Sequence, residues 1–363
     1  MIDIADPRFG EAEQSAVADV LESGMVADGP VVRQFESEFA DYCEADHAVA
    51  TANGTAALVT ALDAVGIGAG DTVVTTPFSF VASANAIRLV GAEPVFADID
   101  PETYNLDPDL ARAAVRDHDA DAILAVHLYG LPADMGELAA VADEEDIRLV
   151  EDAAQAHGAH YDGTPVGSIG DAGAFSFYPT KNMTTGEGGM VVTDDEAVAD
   201  RAASFVNHGR AESGSYAHER VGHNFRMTSI AAAIGRVQLR NLPSWVDDRQ
   251  YHAALLSSAL EDVPGVEAPT VPDGRGHAYH QFTVRCEDRA ALRDQLEAAG
   301  IGSSVYYPTP IHRLEAYDGY DAHAPVAEAA AESVLSLPVH PGLLAEEVDH
   351  IAATVRAATP QIQ

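Results

Sequence analysis

Lysine and arginine together number 20 in this 363-residue chain, and 19 of them are arginine. Lys181 is the one lysine. Ordinary composition would place roughly 20 lysines in a chain of this length. Arginine can replace lysine in an ion pair but cannot form a Schiff base. Its guanidinium stays protonated and delocalised, whereas a lysine amine can lose its proton and attack a carbonyl. A single lysine kept where all others are gone therefore points to imine chemistry. It lies in the run Ser176-Phe177-Tyr178-Pro179-Thr180-Lys181-Asn182, followed by Gly186-Glu187-Gly188-Gly189 and the apolar Met190-Val191-Val192. The aromatic stretch ends at Pro179, so the lysine falls on a loop between strands, where a rigid scaffold commonly carries catalytic groups.

Other residues extend that chemistry. Asp152 directly follows the apolar Leu149-Val150 with Glu151 between them. At a strand's carboxyl end it can pair with a protonated pyridine nitrogen; as an alternative it caps the next turn. Asn53-Gly54-Thr55 precedes an alanine-rich helix whose first N–H groups are free to bind an anion such as a phosphate. The same tripeptide also reads as an ordinary turn and cap. Ser176 is a second candidate phosphate donor, or a structural serine. In Pro77-Phe78-Ser79-Phe80 one aromatic is placed to stack on a flat ligand, or to fill the core.

Elements must position these groups. Apolar residues at helical spacing predict a helix over 31–42. From there strands at 47–51, 72–76, 94–97, 121–126 and 147–150 alternate with helices at 54–65, 80–90, 107–116 and 134–145. That alternation predicts an α/β fold with a mostly parallel sheet between helices, binding ligands beyond the strands' carboxyl ends. Past residue 190 the pattern changes. A helical stretch from about 228 to 261 is expected to break at Pro243. A strand (279–284), a helix (288–299), a strand (302–306) and helices at 325–334 and 345–357 follow. The reading is a large domain over 1–240 and a smaller α+β C-terminal domain over 241–363.

Composition narrows the function. With 58 acidic residues the net charge is −38, which leaves no basic footprint for nucleic acid and repels an anionic membrane surface. Dispersed carboxylates with almost no lysine suit concentrated salt, so the source is expected to be a halophile, an archaeon. No apolar run reaches the length of a membrane span, and the N-terminus does not read as a signal peptide, so a cytoplasmic location is expected. Cys43 and Cys286 stand alone and predict no disulfide framework. His157 and His160 lack a second ligand pair, so no metal site is expected.

Several motifs together resemble the DegT/StrS family of sugar aminotransferases. They are Glu151-Asp152-Ala153-Ala154-Gln155-Ala156-His157-Gly158, the lysine run, Gly186-Glu187-Gly188-Gly189 and Asn53-Gly54-Thr55-Ala56-Ala57-Leu58. His127-Leu128-Tyr129-Gly130, Gly222-His223-Asn224-Phe225-Arg226-Met227-Thr228, Tyr306-Tyr307-Pro308 and Leu335-Ser336-Leu337-Pro338-Val339-His340-Pro341 fit as well. The resemblance implies the aspartate-aminotransferase-like fold (fold type I) and a homodimer with shared active sites. It implies pyridoxal 5'-phosphate carried on Lys181, which also moves the proton, and Asp152 as partner of the pyridine nitrogen. Gln155 would lie near the ring's phenolic oxygen and Phe80 against its face. Gly54, Thr55 and Ser176 would hold the phosphate, joined by Asn224 of the neighbouring subunit. Implied substrates are an amino-acid donor, glutamate in most of the family, and a keto sugar linked to a nucleotide.

Other readings compete. Related dehydratases carry histidine at the lysine position, so Lys181 argues against one. Amination of a keto-cyclitol or an aminobenzoate precursor uses the same scaffold. A cofactor-binding regulator without turnover would lack only catalysis. A nicotinamide-dependent dehydrogenase would need a Gly-x-Gly-x-x-Gly turn after the first strand, which is not there.

Overall fold

The computed structural model describes residues 1–211, 216–320 and 322–358. Helices α1 (Glu11–Ser23) and α2 (Pro30–Cys43) lead into β1 (His47–Thr51) and α3 (Gly54–Ala64). The alternation continues through β2 (Thr72–Thr75), α4 (Ala82–Val90), β3 (Glu93–Phe96), α5 (Pro108–His118), β4 (Ala122–Val126), α6 (Met135–Glu145) and β5 (Arg148–Asp152). A small hairpin, β6 (His160–Tyr161) and β7 (Thr164–Pro165), precedes β8 (Ala172–Ser176), β9 (Gly189–Thr193) and α7 (Glu196–Val206). The long α8 (Ser229–Leu260) then leads to β10 (Val266–Glu267), β11 (Arg275–Gly276), β12 (Phe282–Cys286), α9 (Arg289–Ala298), α10 (Pro325–Ser333), β13 (Val334–Leu337) and α11 (Ala345–Ala358).

The main sheet has the order β1-β9-β8-β5-β4-β2-β3. The pairs β2–β3, β2–β4, β4–β5 and β5–β8 are parallel, and β9 runs antiparallel to both its neighbours. Side chains alternate between two cores, as a pleat requires. Val73, Leu124 and Val150 point to the core built on α3, with Leu58 and Leu62. Val74, Ile123 and Leu149 point the other way, to Val115 of α5 and Leu138 of α6. On β8 and β9, Phe175 and Val192 meet Phe35 and Phe39 of α2. Coverage on both faces explains why these strands are apolar runs. A second sheet, β10-β12-β13, is covered by the end of α8, α9 and α11 through Leu256, Leu296 and Ile351.

Three expectations need correction. The helix does not break at Pro243, which lies inside α8. A mid-helix proline costs about 3 kcal/mol, but α8 packs along α1, α2 and α11, and tertiary packing outweighs local propensity. Residues 302–306 do not form a strand. Ser304 exchanges both backbone bonds with Ser336 of β13, whereas Gly302 donates to Ile2, so the segment divides between two partners. The strand expected from 279 begins at Phe282; Tyr279 has φ 44°, which extended backbone does not accommodate.

The end of β5 is anchored from behind. Glu151 is fully buried. Its carboxylate accepts from the backbone N–H groups of Gly167 (2.7 Å), Ile169 (2.7 Å) and Gly170 (2.8 Å), and pairs with His127 Nε2 at 2.9 Å. His127 Nδ1 accepts from Ala133, so Nε2 carries the proton. Burial pushes the Glu151 carboxyl up, but His127 and the backbone donors outweigh it and hold it below the usual range. Glu151→Ala would leave the three N–H groups and the imidazole unpaired. It is expected to cost about 3–5 kcal/mol in denaturant unfolding; a loss below about 1 kcal/mol would refute the anchoring role.

Candidate active site

Asp152 ends β5, beside Val126 of β4 and Ala174 of β8. It is buried. Its Oδ2 accepts from Ser83 Oγ at 2.7 Å and its Oδ1 from the Ala154 N–H at 3.2 Å. Burial raises its pKa; the Ser83 hydroxyl, the Ala154 N–H and the Lys181 charge offset this only in part. A carboxyl held this way gains most from a cationic partner placed against it.

Lys181 occupies the loop leaving β8. Its own N–H closes a turn to Tyr178 at 2.9 Å. Thr184 Oγ1 bonds to the Phe177 carbonyl at 2.8 Å, and the neighbouring Asn182 donates to the carbonyls of Ala278 (2.9 Å) and His157 (3.4 Å). The loop is thus tied down on both sides of the lysine. Burial pulls the Lys181 amine down to about 8, against the opposing pull of Asp152. His157, fully buried against Phe175 and Phe177, is pushed down to about 3 by burial and stays neutral.

At the start of α3, Asn53 caps the helix by accepting from the Ala56 N–H at 2.9 Å. The Gly54 and Thr55 N–H groups have no intrahelical acceptor. A Cβ on Gly54 would lie 2.5 Å from Ser176 Cβ, so only glycine lets the helix start touch the end of β8. A Cβ on Gly189 would meet the Asn53 carbonyl at 2.5 Å. The glycines thus serve contacts within the protein itself. Gly54, Thr55 and Ser176 form one cluster of donors.

Gln155 is buried and held at both ends of its amide. Its Oε1 accepts from the Tyr129 N–H at 2.9 Å, and its Nε2 donates to Tyr307 Oη at 2.8 Å. Tyr129 and Tyr307 are both left-handed, with φ 57° and 59°, and their rings stack at 6.1 Å. Such backbone strain gathers where a site must be held rigid. Phe80 lies outside α4, 58% exposed, while Phe78 fills the core with Tyr104, Tyr129 and Tyr307. The Phe80 carbonyl accepts from the Ser83 N–H, which places it next to the Asp152 partner. Asn224 is exposed and forms an antiparallel bridge with Asn207.

The fold therefore gathers Asp152, Gln155, Lys181, Gly54, Thr55 and Ser176 at neighbouring strand and helix ends, with Phe80 beside them, and leaves Asn224 at the surface. Sequence reasoning named no role for Ser83, Tyr129, Tyr307 or Asn182. Ser79 and Ser83, one helical turn apart just past a strand end, were the only signal for the first.

The family model for the DegT/DnrJ/EryC1/StrS aminotransferase family matches residues 7–356. The chain belongs to this family. It is 43% identical over 342 residues to the erythromycin biosynthesis sensory transduction protein EryC1 of Saccharopolyspora erythraea, covering 93% of each chain. It is 41% identical over 346 residues to the dTDP-3-amino-3,4,6-trideoxy-alpha-D-glucose transaminase of Streptomyces venezuelae, covering 94% of this chain and 90% of that one. The crystal structure of S. venezuelae DesV, solved in complex with a ketimine intermediate, superposes with a TM-score of 0.93 at 40% identity, over 97% of this chain and 95% of that one. The protein is thus a pyridoxal-phosphate-dependent aminotransferase, with the α/β fold of those enzymes. Its residues fit that cofactor: a buried amine pulled down to about 8, a buried carboxylate short of a full cation partner, and a cluster of anion donors.

Proposed function

We propose that this aminotransferase moves an amino group from an amino acid, glutamate by default, to a keto sugar carried on a nucleotide. The observation that carries the chemistry is Lys181, a buried amine pulled down to about 8 and within electrostatic reach of the buried Asp152. The sugar class is supported by the dTDP-sugar transaminase, 41% identical along nearly the whole chain.

When bound, pyridoxal phosphate supplies an aldehyde that takes up the amino group and a ring that draws electrons from the substrate carbon. The residues of the chain do the rest. The Lys181 amine would hold the cofactor's aldehyde group and is the base placed to move a proton at the substrate α-carbon. Asp152 keeps the ring nitrogen protonated, and the clamped Gln155 offers its remaining amide hydrogen to the phenolic oxygen. Gly54, Thr55 and Ser176 bind the phosphate, and Phe80 covers the ring. The exposed Asn224 reaches the phosphate site of a second copy, making the enzyme a homodimer with shared sites. The part with the seven-stranded sheet, 1–240, holds the cofactor as one domain, and 241–363 forms the second.

A panel of keto nucleotide sugars, each offered with glutamate, tests the substrate class. Ping-pong kinetics with at least one nucleotide-linked ketone are expected. Turnover of free keto-cyclitols alone would move the enzyme to the other acceptor class, and no turnover with any ketone would favour a silent binder.

We further place the protein in the cytoplasm of a halophilic archaeon. With a net charge of −38, self-repulsion is strong in dilute buffer. The Debye length falls to about 3 Å at 1 M salt, which removes most of it. The melting temperature is expected to climb steadily from dilute to molar KCl; a flat or falling trend would reject this assignment.

A further inference from the structure

We propose that Ser83, with Ser79 behind it, is a positioning residue that keeps Asp152 ionised and aimed at the ring nitrogen; the inference rests on the cofactor reading above. Ser83 sits in the first turn of α4, 1% exposed, and Asp152 is 5% exposed. The 2.7 Å bond between them joins residues 69 positions apart. Ser79 Oγ lies 3.1 Å from Ser83 Oγ, and Ser79 is also buried. The Ser83 hydroxyl can also reach the Phe80 carbonyl at 3.3 Å, but the bond to the carboxylate is shorter and charge-assisted.

The geometry assigns a direction. With its proton committed to Oδ2, Ser83 offers its lone pairs to Ser79, so the two hydroxyls form a short chain ending on the carboxylate. Asp152 Oδ1 takes the Ala154 N–H. Both oxygens are therefore oriented by the protein, and the carboxylate cannot rotate freely. The groups facing Asp152 are Lys181 from the loop after β8, His127 at the end of β4, Tyr307 from the C-terminal part and Ser83 from α4. Of these, Ser83 is the neutral donor bonded directly to it. Burial raises the Asp152 pKa and the Ser83 hydroxyl is the largest of the opposing influences. Removing that hydroxyl leaves the carboxylate more easily protonated, and a protonated Asp152 has no charge to offer the ring.

The test is the dissociation constant of pyridoxal phosphate, measured on the full chain between about pH 5.5 and 8.5. The wild type should bind with little pH dependence from the carboxyl. Ser83→Ala should match it at the alkaline end and lose about tenfold affinity toward the acidic end, as one lost bond to a charged group predicts. Ser83→Thr should restore the wild-type profile. A role limited to packing would lower affinity equally at every pH, and such parallel profiles would overturn the proposal. Should Ser83→Ala not fold, Ser79→Ala must show the same acid-side loss at smaller size; a profile parallel to wild type would overturn it equally. If the wild type itself fails to bind the cofactor, the functional reading falls instead of this one.

Discussion

Lys181→Arg protein is expected to lose transamination by about four orders of magnitude or more. The substitution keeps the positive charge and much of the length, so it separates charge from nucleophilicity. A guanidinium stays protonated at any working pH and cannot attack the aldehyde or take a proton from the substrate carbon. The experiment follows formation of the 2-oxo acid from glutamate at high salt. Borohydride treatment should fix cofactor to residue 181 in the wild type and leave the variant unlabelled. The pH dependence adds a second check. The amine sits near 8 rather than at the ordinary 10.5, because burial disfavours its charged form. Its reaction with aldehyde should rise with pH up to about 8 and level off above it, as the neutral fraction saturates. A rate still climbing toward 10 would contradict the desolvated environment. An arginine variant that retained more than about 1% of the activity would remove the basis for the mechanism.

Asp152→Asn is the second large effect. Two opposite charges about 4 Å apart, at an effective dielectric of about 20, attract by about 4 kcal/mol, the scale of what Asp152 would offer a protonated ring nitrogen. Removing that charge while keeping the shape should slow the half-reaction by about three orders of magnitude. Cofactor affinity should fall with it. Stability should move the other way. Burial raises the carboxyl above its ordinary value in the folded chain, so its ionisation opposes folding at neutral pH. That penalty disappears as pH falls below the ordinary carboxyl range. The apoprotein of Asp152→Asn should therefore melt at or above the wild-type temperature near pH 7. A variant within tenfold of wild-type rate would show that the ring is held protonated by something else.

Much of the fold was legible because burial writes itself into periodicity. Strands covered on both faces appear as apolar runs, and β1, β2, β4 and β5 lie within a residue or two of their expected ranges. The helices between them carry caps that local chemistry dictates, such as Asp107 before Pro108. The failures share one cause. Pro243 stays helical, residues 302–306 stay irregular and Tyr279 delays a strand because each is decided by distant partners. Within the site, single residues of unusual type were visible: one lysine, one aspartate after a strand, an Asn-Gly-Thr turn. Common residues made important by location were not. Ser83 is one serine among many until β5 is laid beside α4. Nothing along the chain shows that Tyr129 and Tyr307 hold the Gln155 amide.

The sequence by itself singled out the side chain proposed for the covalent chemistry, since Lys181 is the one lysine in the chain and arginine cannot form an imine. It also determined the alternating architecture, since period-two and period-3.6 burial are local properties of the chain. The tertiary structure alone decided the electrostatics that make those residues useful. The Lys181 amine falls to about 8, Asp152 is bonded by a serine 69 positions away, and Gly54 touches Ser176, all because parallel strands bring distant chain ends to one edge. Desolvation and hydrogen bonding act through space, and no spacing along the chain records them.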